Sequence, residues 1–203
     1  MTAAAPQRIL VAAERLFAEF GIDAVSLRQI AAAAGQRNTS AVAYHYGSKY
    51  RLVAAIYAWR MAEVNARRTE RLDALRRSGR DGDVAELVAA LIDPLAETLD
   101  ARTEPGSYLR FMAETMRNPR YDPAATAAGQ PEADSVHALT ACLRRALPRL
   151  PREVFAERLR LASMLMVTAL GDRERHLADP GRHERPVIGV AALRDACLAI
   201  LTG

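Results

Sequence analysis

Hydrophobic residues recur every three to four positions along most of the chain, and short stretches rich in glycine, proline or charge separate the runs. This spacing is that of amphipathic helices, in which one apolar stripe faces a core. No stretch alternates between apolar and polar residues as a half-buried strand does. The pattern therefore predicts an all-α protein, with helices over residues 7–20, 26–34, 38–46, 49–78, 84–101, 105–117, 133–147, 152–171 and 187–201.

Two of these helices lie in the stretch SLRQIAAAAGQRNTSAVAYHY, residues 26–46, and are short and joined by a tight turn. Ser26 and Gln29 form an S-x-x-Q capping box that begins the first helix, and Gly35 is placed to end it in the left-handed conformation. The polar residues 36–40 supply N-cap candidates for the second helix. This arrangement is typical of a helix-turn-helix, whose second helix enters the DNA major groove. A plain pair of packed helices is the alternative.

The second helix of this motif carries side chains expected to meet DNA, because its N-terminal part lies against base edges in helix-turn-helix docking. Arg37 suits guanine and Asn38 suits adenine, although Asn38 is equally suited to capping the helix. His45 is either a phosphate donor or a half-buried packing residue. Lys49 opens the next helix, where a cation opposes the helix dipole unless a phosphate lies nearby. The residues predicted to contact DNA are Arg28, Arg37, Asn38, Thr39, Ser40, Ala41, Tyr44, His45 and Lys49.

Charge is divided unevenly along the chain, whose formal net value is +4. Residues 1–80 contain 13 Lys and Arg against 6 Asp and Glu, a net +7, whereas residues 81–203 contain 15 against 18, a net −3. The basic excess coincides with the predicted helix-turn-helix and favours nucleic acid as the partner over a merely solvated basic surface. The arginines toward the end of the helix over residues 49–78 are predicted to be solvated, and some of them to complement the helix C-terminus: Arg67, Arg68, Arg71, Arg76, Arg77 and Arg80.

The block over residues 9–57 resembles the N-terminal DNA-binding domain of TetR-family transcriptional regulators. The matching pieces are AAERLFAEFG, the S-x-R-x-I-A-x-x-A-G core over residues 26–35, and YHYGSK over residues 44–49. The turn is one residue longer than in the usual form, and Ala43 stands where a tyrosine is common. We therefore expect an altered docking of the second helix.

The resemblance implies a two-part organisation. A helix-turn-helix domain would occupy residues 1–48, with the start of a linking helix reaching about residue 60. A helical ligand-binding and dimerisation domain would occupy residues 49–203. The resemblance also implies that Lys49 contacts the DNA backbone.

Aromatic and methionine residues further along the chain mark a region suited to a small-molecule effector. Pro94 lies inside the helical pattern of residues 84–101 and should bend that helix, which can open space beside it. Methionine and aromatic side chains form adaptable apolar walls. An ordinary bent core helix is the alternative. The residues predicted to line a ligand site are Tyr57, Trp59, Leu91, Leu95, Tyr108, Phe111, Met112, Met116 and Met166.

The last two predicted helices, over residues 152–171 and 187–201, are apolar on nearly every side. Such helices have to be buried all round, which is difficult within one subunit of this size. Packing against a second copy removes the difficulty, so we expect a homodimer with a two-fold, four-helix interface, as the resemblance also implies. Leu193 is predicted to lie in that interface. Residues 172–186, between the two helices, are predicted to form a charged loop.

Several other kinds of site are not predicted. His176 and His183 lie among acidic residues of the charged loop, but their spacing fits no zinc template, and we expect no metal or cofactor. The two cysteines lack metal-ligand or C-x-x-C spacing, which indicates buried thiols of a reduced, cytoplasmic protein. The longest uncharged apolar run is too short to cross a bilayer, and the N-terminal residues do not resemble a signal peptide.

These patterns predict a ligand-responsive DNA-binding transcriptional regulator, a repressor that binds a palindromic operator as a dimer. Its two recognition helices would read half-sites about one helical turn apart. A small helical enzyme is one alternative, but the sequence has no nucleophile elbow, metal-ligand set or phosphate-binding glycine loop. A helical protein-interaction adaptor is the other alternative, and it would bind its partner without DNA affinity.

Overall fold

The structure is a computed structural model that describes residues 5–36, 38, 40–100, 106–121, 134–179 and 187–203. These residues contain α-helices and one 3₁₀ turn and no β-strand, so the all-α prediction is confirmed. The helices are α1 (Ala5–Phe20), α2 (Leu27–Ala33), α3 (Ala41–Tyr46), α4 (Lys49–Arg77), α5 (Val84–Asp100), α6 (Tyr108–Arg117), α7 (Asp134–Ala146), α8 (Arg152–Ala178) and α9 (Val190–Thr202); the 3₁₀ turn is Pro119–Tyr121.

The ends of α1 and α2 show why the N-terminal region folds as predicted. Ser26 caps α2: its Oγ accepts a hydrogen bond from the backbone N–H of Gln29 at 3.2 Å, while Gln29 Oε1 accepts one from the backbone N–H of Ser26 at 2.7 Å. Gly21 after α1 and Gly35 after α2 have φ angles of +81° and +66°. This left-handed conformation suits glycine and stops a helix. The predicted capping box and the predicted stop at Gly35 are confirmed.

A shared core holds α1, α2, α3 and the start of α4 together. Ile9, Phe17, Ile30, Val42 and Leu52 are all fully buried in it. α3 is six residues long, too short to be stable by itself, so packing has to fix its position. Burying a side chain of this size contributes about 1.5–3 kcal/mol. The single buried residue of α3, Val42, therefore decides which side of α3 faces outward.

The remaining helices form a larger bundle in which α6 packs along α8. Gly171 of α8 lies so close to the start of α6 that an added Cβ would be 3.4 Å from the carbonyl oxygen of Leu109. α9 contacts both α8 and α5, and α5 also contacts α4 and α7. α6 contacts α1 as well as α8. α6 is therefore a direct physical connection between this bundle and the N-terminal helices.

α8 continues past residue 171, where the apolar pattern ends. The buried Glu174 explains this continuation, because its carboxylate accepts hydrogen bonds from the backbone N–H groups of Leu109 at 3.3 Å and Arg110 at 3.0 Å. These are free donors at the start of α6, which α8 thereby caps. Burial raises the pKa of Glu174, and the two backbone hydrogen bonds oppose that shift. Residues 172–178 are thus helical, and the prediction of a loop there is wrong.

The predicted and observed positions of two other helix ends differ by a few residues. α3 begins at Ala41 rather than at residue 38, because the side chain of Asn38 bonds to the local backbone and competes with helix formation. α9 begins at Val190 rather than at residue 187. Residues 122–133, before α7, and residues 180–186 of the predicted charged loop lie outside the described residues.

Both cysteines, Cys142 and Cys197, are free and buried, as predicted. Burial raises the pKa of the Cys197 thiol. No group of three or more His, Cys, Asp or Glu side chains that could hold a metal ion occurs in the described ranges. Within the same ranges, no helix has the length and apolar character needed to cross a bilayer.

Candidate nucleic-acid interface and interior polar groups

α3 presents an exposed polar side opposite the side that packs on the core. Val42 is fully buried. Tyr44 is 86 % exposed, and Ser40 and His45 are exposed beside it. The rings of Tyr44 and His45 meet edge to face with centroids 5.3 Å apart. His45 is therefore not a half-buried packing residue, and this side of α3 offers hydroxyl and imidazole groups suited to phosphate oxygens.

The N-terminal end of α3 is built around a polar turn. Asn38 Oδ1 accepts a hydrogen bond from the backbone N–H of Ser40 at 2.9 Å. Ser40 is the N-cap residue but makes no capping bond with its own side chain, and Ala41 after it is half-buried. Asn38 thus closes the turn before α3 and does not cap the helix itself, and it remains exposed. Its contact with adenine stays a prediction. Arg37 and Thr39 lie outside the described residues, so their contacts with DNA stay predictions.

α3 has an anchor that the sequence analysis did not identify. The hydroxyl of Tyr46 donates to the backbone oxygen of Pro6 at 3.1 Å, which fastens the end of α3 to the first turn of α1. Burial raises the pKa of Tyr46, which keeps the hydroxyl protonated as a donor. Tyr46 follows Val42 by one helical turn and so shares its inward side. That spacing is the signal that would have identified it.

Lys49 connects α4 to the turn that precedes α2. Its Nζ donates to the backbone oxygens of Ile22 at 2.9 Å and Asp23 at 3.0 Å. These two acceptors offset the unfavourable position of a cation at the first turn of α4, so a phosphate is not required to explain it. Contact of Lys49 with the DNA backbone stays a prediction. Arg28 is exposed in the first turn of α2.

Two models of known protein families match the sequence of this chain. Residues 9–56 match the model of the tetR family of bacterial regulatory proteins, and residues 89–203 match the tetracyclin repressor-like C-terminal domain. The chain belongs to the TetR family. It is therefore a DNA-binding transcriptional regulator and not an enzyme, and the helix-turn-helix interpretation of residues 26–46 is confirmed. No curated protein matches the sequence of the chain.

A solved structure of a TetR-family regulator shares the fold. The chain is similar to the transcriptional regulator PfmR of Thermus thermophilus, at 22% identity and a TM-score of 0.54 over 100% of this chain and 98% of that chain. It also matches a TetR-family regulator of Streptomyces coelicolor, at 24% identity and a TM-score of 0.41, with coverage of 98% and 95%. At 22% identity the likeness to PfmR concerns the fold alone.

Three residues predicted to line a ligand site contact one another in this TetR-family chain. The ring centroids of Tyr57 and Phe111 are 5.4 Å apart, and that of Tyr108 lies 6.1 and 6.2 Å from those two. The hydroxyl of Tyr57 also forms a hydrogen bond with Thr115 Oγ1. The role of this aromatic group in ligand binding stays a prediction. Leu91, Leu95, Met112 and Met166 are buried in the same core, and Trp59 and Met116 are half-buried against it.

A buried ion pair joins α1 to α4. Arg60 Nε lies 2.6 Å from Glu14 Oε2, and Arg60 Nη2 lies 3.1 Å from Glu14 Oε1, which is the two-pronged geometry that arginine and carboxylate favour. The Glu14 side chain is 3% exposed and that of Arg60 is 17% exposed. The Arg60 guanidinium also stacks over the ring of Trp59 at 3.9 Å from the centroid. Glu14 lies on the apolar stripe of α1, and sequence reasoning did not single it out.

Arg68 is buried in the middle of α4, although the sequence predicted a solvated side chain. It is 2% exposed, and its Nη1 donates to Asn65 Oδ1 at 2.9 Å. Asn65 Oδ1 also accepts a hydrogen bond from the hydroxyl of Ser135 at 2.9 Å, which joins α4 to α7. The prediction of solvation is wrong for Arg68 because α7 packs against this part of α4. In contrast, Arg76 is exposed as expected.

A surface groove of about 230 Å³ lies between α1, α6 and α8. Four of its charged lining residues form two ion pairs: Arg117 pairs with Glu114, and Arg175 pairs with Asp172 at 2.5 Å. Arg110, a fifth charged lining residue, pairs with the buried Glu174. None of the residues predicted to line a ligand site borders this groove. The groove therefore differs from the aromatic group around Tyr57.

α8 keeps an apolar strip exposed. Val154, Leu161 and Met164 are 40%, 43% and 36% exposed, and their spacing of seven and three residues places them on one side of the helix. Leu177 near the end of α8 is 45% exposed. Leu193 of α9 is instead 1% exposed, because α9 packs against both α8 and α5 of its own subunit. The prediction that Leu193 lies in a subunit interface is therefore wrong.

Proposed function

We propose that this TetR-family regulator is a ligand-responsive repressor that binds a palindromic operator as a homodimer. The observation that carries the proposal is the orientation of α3. Val42 faces the core, while Ser40, Tyr44 and His45 face outward on the basic half of the chain. In this proposal the residues from 37 to 41 meet base edges. Arg28, Tyr44, His45 and Lys49 contact phosphates.

The exposed strip on α8 supports dimerisation. Apolar side chains at regular helical spacing on an outer surface mark an interaction site more often than isolated ones do. Two copies related by a two-fold axis would bury the strip of one subunit against the same strip of the other. The two copies of α3 would then lie about one turn of DNA apart. In this proposal the helix-turn-helix domain spans residues 1–48, with the start of the linking helix reaching about residue 60. The helical ligand-binding and dimerisation domain spans residues 49–203. The proposed repressor acts in the cytoplasm.

Control by a ligand requires a connection from the interior of the larger bundle to α3. α6 supplies the connection. The ring of Phe111 on α6 stacks on that of Phe17 on α1, with centroids 6.2 Å apart. A ligand that binds better when α6 is displaced would shift the population away from the spacing that DNA requires. The size of the response is set by the difference in ligand affinity between the two states.

Selection of bound duplexes from a random DNA library, at two salt concentrations, tests the DNA-binding part of the proposal. We expect an inverted-repeat consensus and weaker binding at the higher salt concentration, because phosphate contacts release counterions. An asymmetric consensus would contradict the two-fold arrangement. No enrichment over scrambled duplexes would contradict operator binding and favour an adaptor.

Light scattering of Leu161→Arg tests the dimer interface. We expect this variant to be monomeric, because a charge on the strip would be buried without a partner. Val11→Arg is the matched control, since Val11 is 46% exposed on α1 and lies outside the strip. A dimeric Leu161→Arg would place the interface elsewhere.

A further inference from the structure

Four charged side chains are almost fully buried among the described residues, and three of them are balanced. Glu14 and Asp93 each form an ion pair with an arginine, at 2.6 Å in both cases. Glu174 accepts the two backbone N–H groups at the start of α6. Arg68 is different, because its guanidinium forms no ion pair with any described carboxylate. Within the described part of the chain, the bundle thus places partners beside its other buried charges and leaves this cation without one.

Two hydrogen-bond donors in this part of the interior have no partner among the described residues. The Nε of Arg68 and the hydroxyl of Tyr108 are both buried, and neither forms a hydrogen bond there. Arg68 and Tyr108 are each 2% exposed, so water cannot easily satisfy these donors. Burial lowers the pKa of Arg68 to about 10, so the guanidinium stays charged at neutral pH. Burial raises the pKa of Tyr108 well above its usual value, so its hydroxyl keeps its proton.

Such an arrangement is costly for a protein that binds nothing there. An uncompensated buried charge strongly destabilises a fold, and buried donors are almost always paired. The group that would complete this site has to be an anion that accepts hydrogen bonds from a guanidinium and from a phenol. A carboxylate fits both requirements, because it accepts charge-assisted bonds from arginine and has lone pairs left for a hydroxyl.

We infer that Arg68 and Tyr108 bind the carboxylate of a small hydrophobic acid in the interior of the larger bundle. The apolar part of that acid would lie against Tyr57 and Phe111, whose rings contact the ring of Tyr108. Identification of this acid as the effector rests on the proposed function, whereas its binding does not require DNA. Asn65 is a positioning residue, since it holds the Nη1 side of Arg68 and leaves the Nε side for the ligand.

Binding of straight-chain and aryl monocarboxylates to the full-length protein without DNA tests the inference. Each acid is compared with its primary amide, which keeps the shape and removes the charge. We expect thermal unfolding to shift upward with the longer acids and not with their amides, because a ligand of the folded state stabilises it. Absence of a shift with every acid would overturn the inference, and so would equal shifts with acids and amides.

Variants then locate the site by titration with the tightest acid. Arg68→Met should weaken its binding roughly tenfold to a hundredfold, and Tyr108→Phe should weaken it by about tenfold. Arg76→Met is the matched control, because Arg76 is exposed on the same helix and should leave acid binding unchanged. Unchanged affinity in Tyr108→Phe, which keeps the ring, would overturn the inference even if Arg68→Met failed to fold. Acid binding without operator binding would reject only the proposed function.

Discussion

The N-terminal helices and the larger bundle satisfy their polar groups in different ways. In α2 and at the start of α4, serine side chains cap helix ends at the surface, and the core around Phe17 contains mainly apolar side chains. In the larger bundle, charged groups such as Asp93 and Glu174 are buried between helices. A cap is worth about 1 kcal/mol, whereas breaking a buried pair costs about 3–5 kcal/mol. The N-terminal region therefore depends on many small contributions, and the bundle on a few large ones.

The largest effect is expected where the two regions meet, at the ion pair between Glu14 and Arg60. Glu14→Gln should lower the free energy of unfolding by about 3 kcal/mol, because it leaves a largely buried guanidinium without its counter-charge. Urea denaturation at neutral pH measures this change. Glu63→Gln is the control, since the Glu63 side chain is 66% exposed in its pair with Arg67 and should matter little. Equal effects of the two variants would remove the distinction between buried and exposed pairs.

Arg68 should behave in the opposite way, because it has no counter-charge among the described residues to lose. Arg68→Met keeps most of the side-chain volume and removes an uncompensated buried charge, so the free energy of unfolding should rise by about 1 kcal/mol. Asn65 keeps its hydrogen bond from Ser135 in this variant. The same urea denaturation, without added acid, measures the difference. A loss as large as that of Glu14→Gln would show that Arg68 is a structural residue and not an unpaired one.

Ser26→Ala should have a smaller effect, of the size expected for a cap. Loss of the bond from the backbone N–H of Gln29 to Ser26 Oγ should lower the free energy of unfolding by about 1 kcal/mol. Ser40→Ala is a matched control, because Ser40 is also an N-cap residue but makes no capping bond. Its stability by the same denaturation should be unchanged. A similar loss in both variants would mean that the capping bond is not the cause.

The N-terminal helices and the larger bundle also differ in how many of their contacts can be predicted from the sequence. The caps and glycine stops of α2 involve residues a few positions apart, so their pattern is visible in the sequence. Glu14 and Arg60 are separated by 46 positions, and only the packing of α1 on α4 brings them together. Arg68 has the same chemistry as the exposed Arg76 on the same helix. The burial of Arg68 depends on the packing of other helices, and the residues around Arg68 in the sequence do not predict that packing.

The sequence shows the apolar pattern of the last two helices. It does not show which of the apolar residues face the interior of the subunit. Leu161 and Leu193 both fit a helical stripe, yet one is 43% exposed and the other 1% exposed. Their difference arises from contacts of α9 with α5, which join parts of the chain about one hundred positions apart, as Asp93 and Arg194 do. Residues 172–178 were missed for a related reason, because a charged stretch can be helical when Glu174 has a buried partner.

The smallest change in the free energy of unfolding is expected for Asn118, at the contact between the larger bundle and the N-terminal helices. Asn118, just after α6, donates from Nδ2 to Asp23 Oδ2 at 2.9 Å, and Lys49 of α4 holds the backbone oxygen of the same Asp23. Asn118 Oδ1 also accepts a hydrogen bond from the backbone N–H of Arg120 at 3.2 Å. Asn118→Ala removes both bonds and should lower the free energy of unfolding by only about 0.5 kcal/mol, because both are exposed.

Asn118→Asp should cost more than Asn118→Ala, because it places two carboxylates against each other across the contact between α6 and the turn before α2. Urea denaturation and operator titration of both variants measure the order. If the turn transmits displacement of α6, operator affinity should fall further in Asn118→Asp than in Asn118→Ala. Equal operator affinities would show that Lys49 alone fixes this turn, and that α6 acts on the N-terminal helices through Phe111 and Phe17 instead.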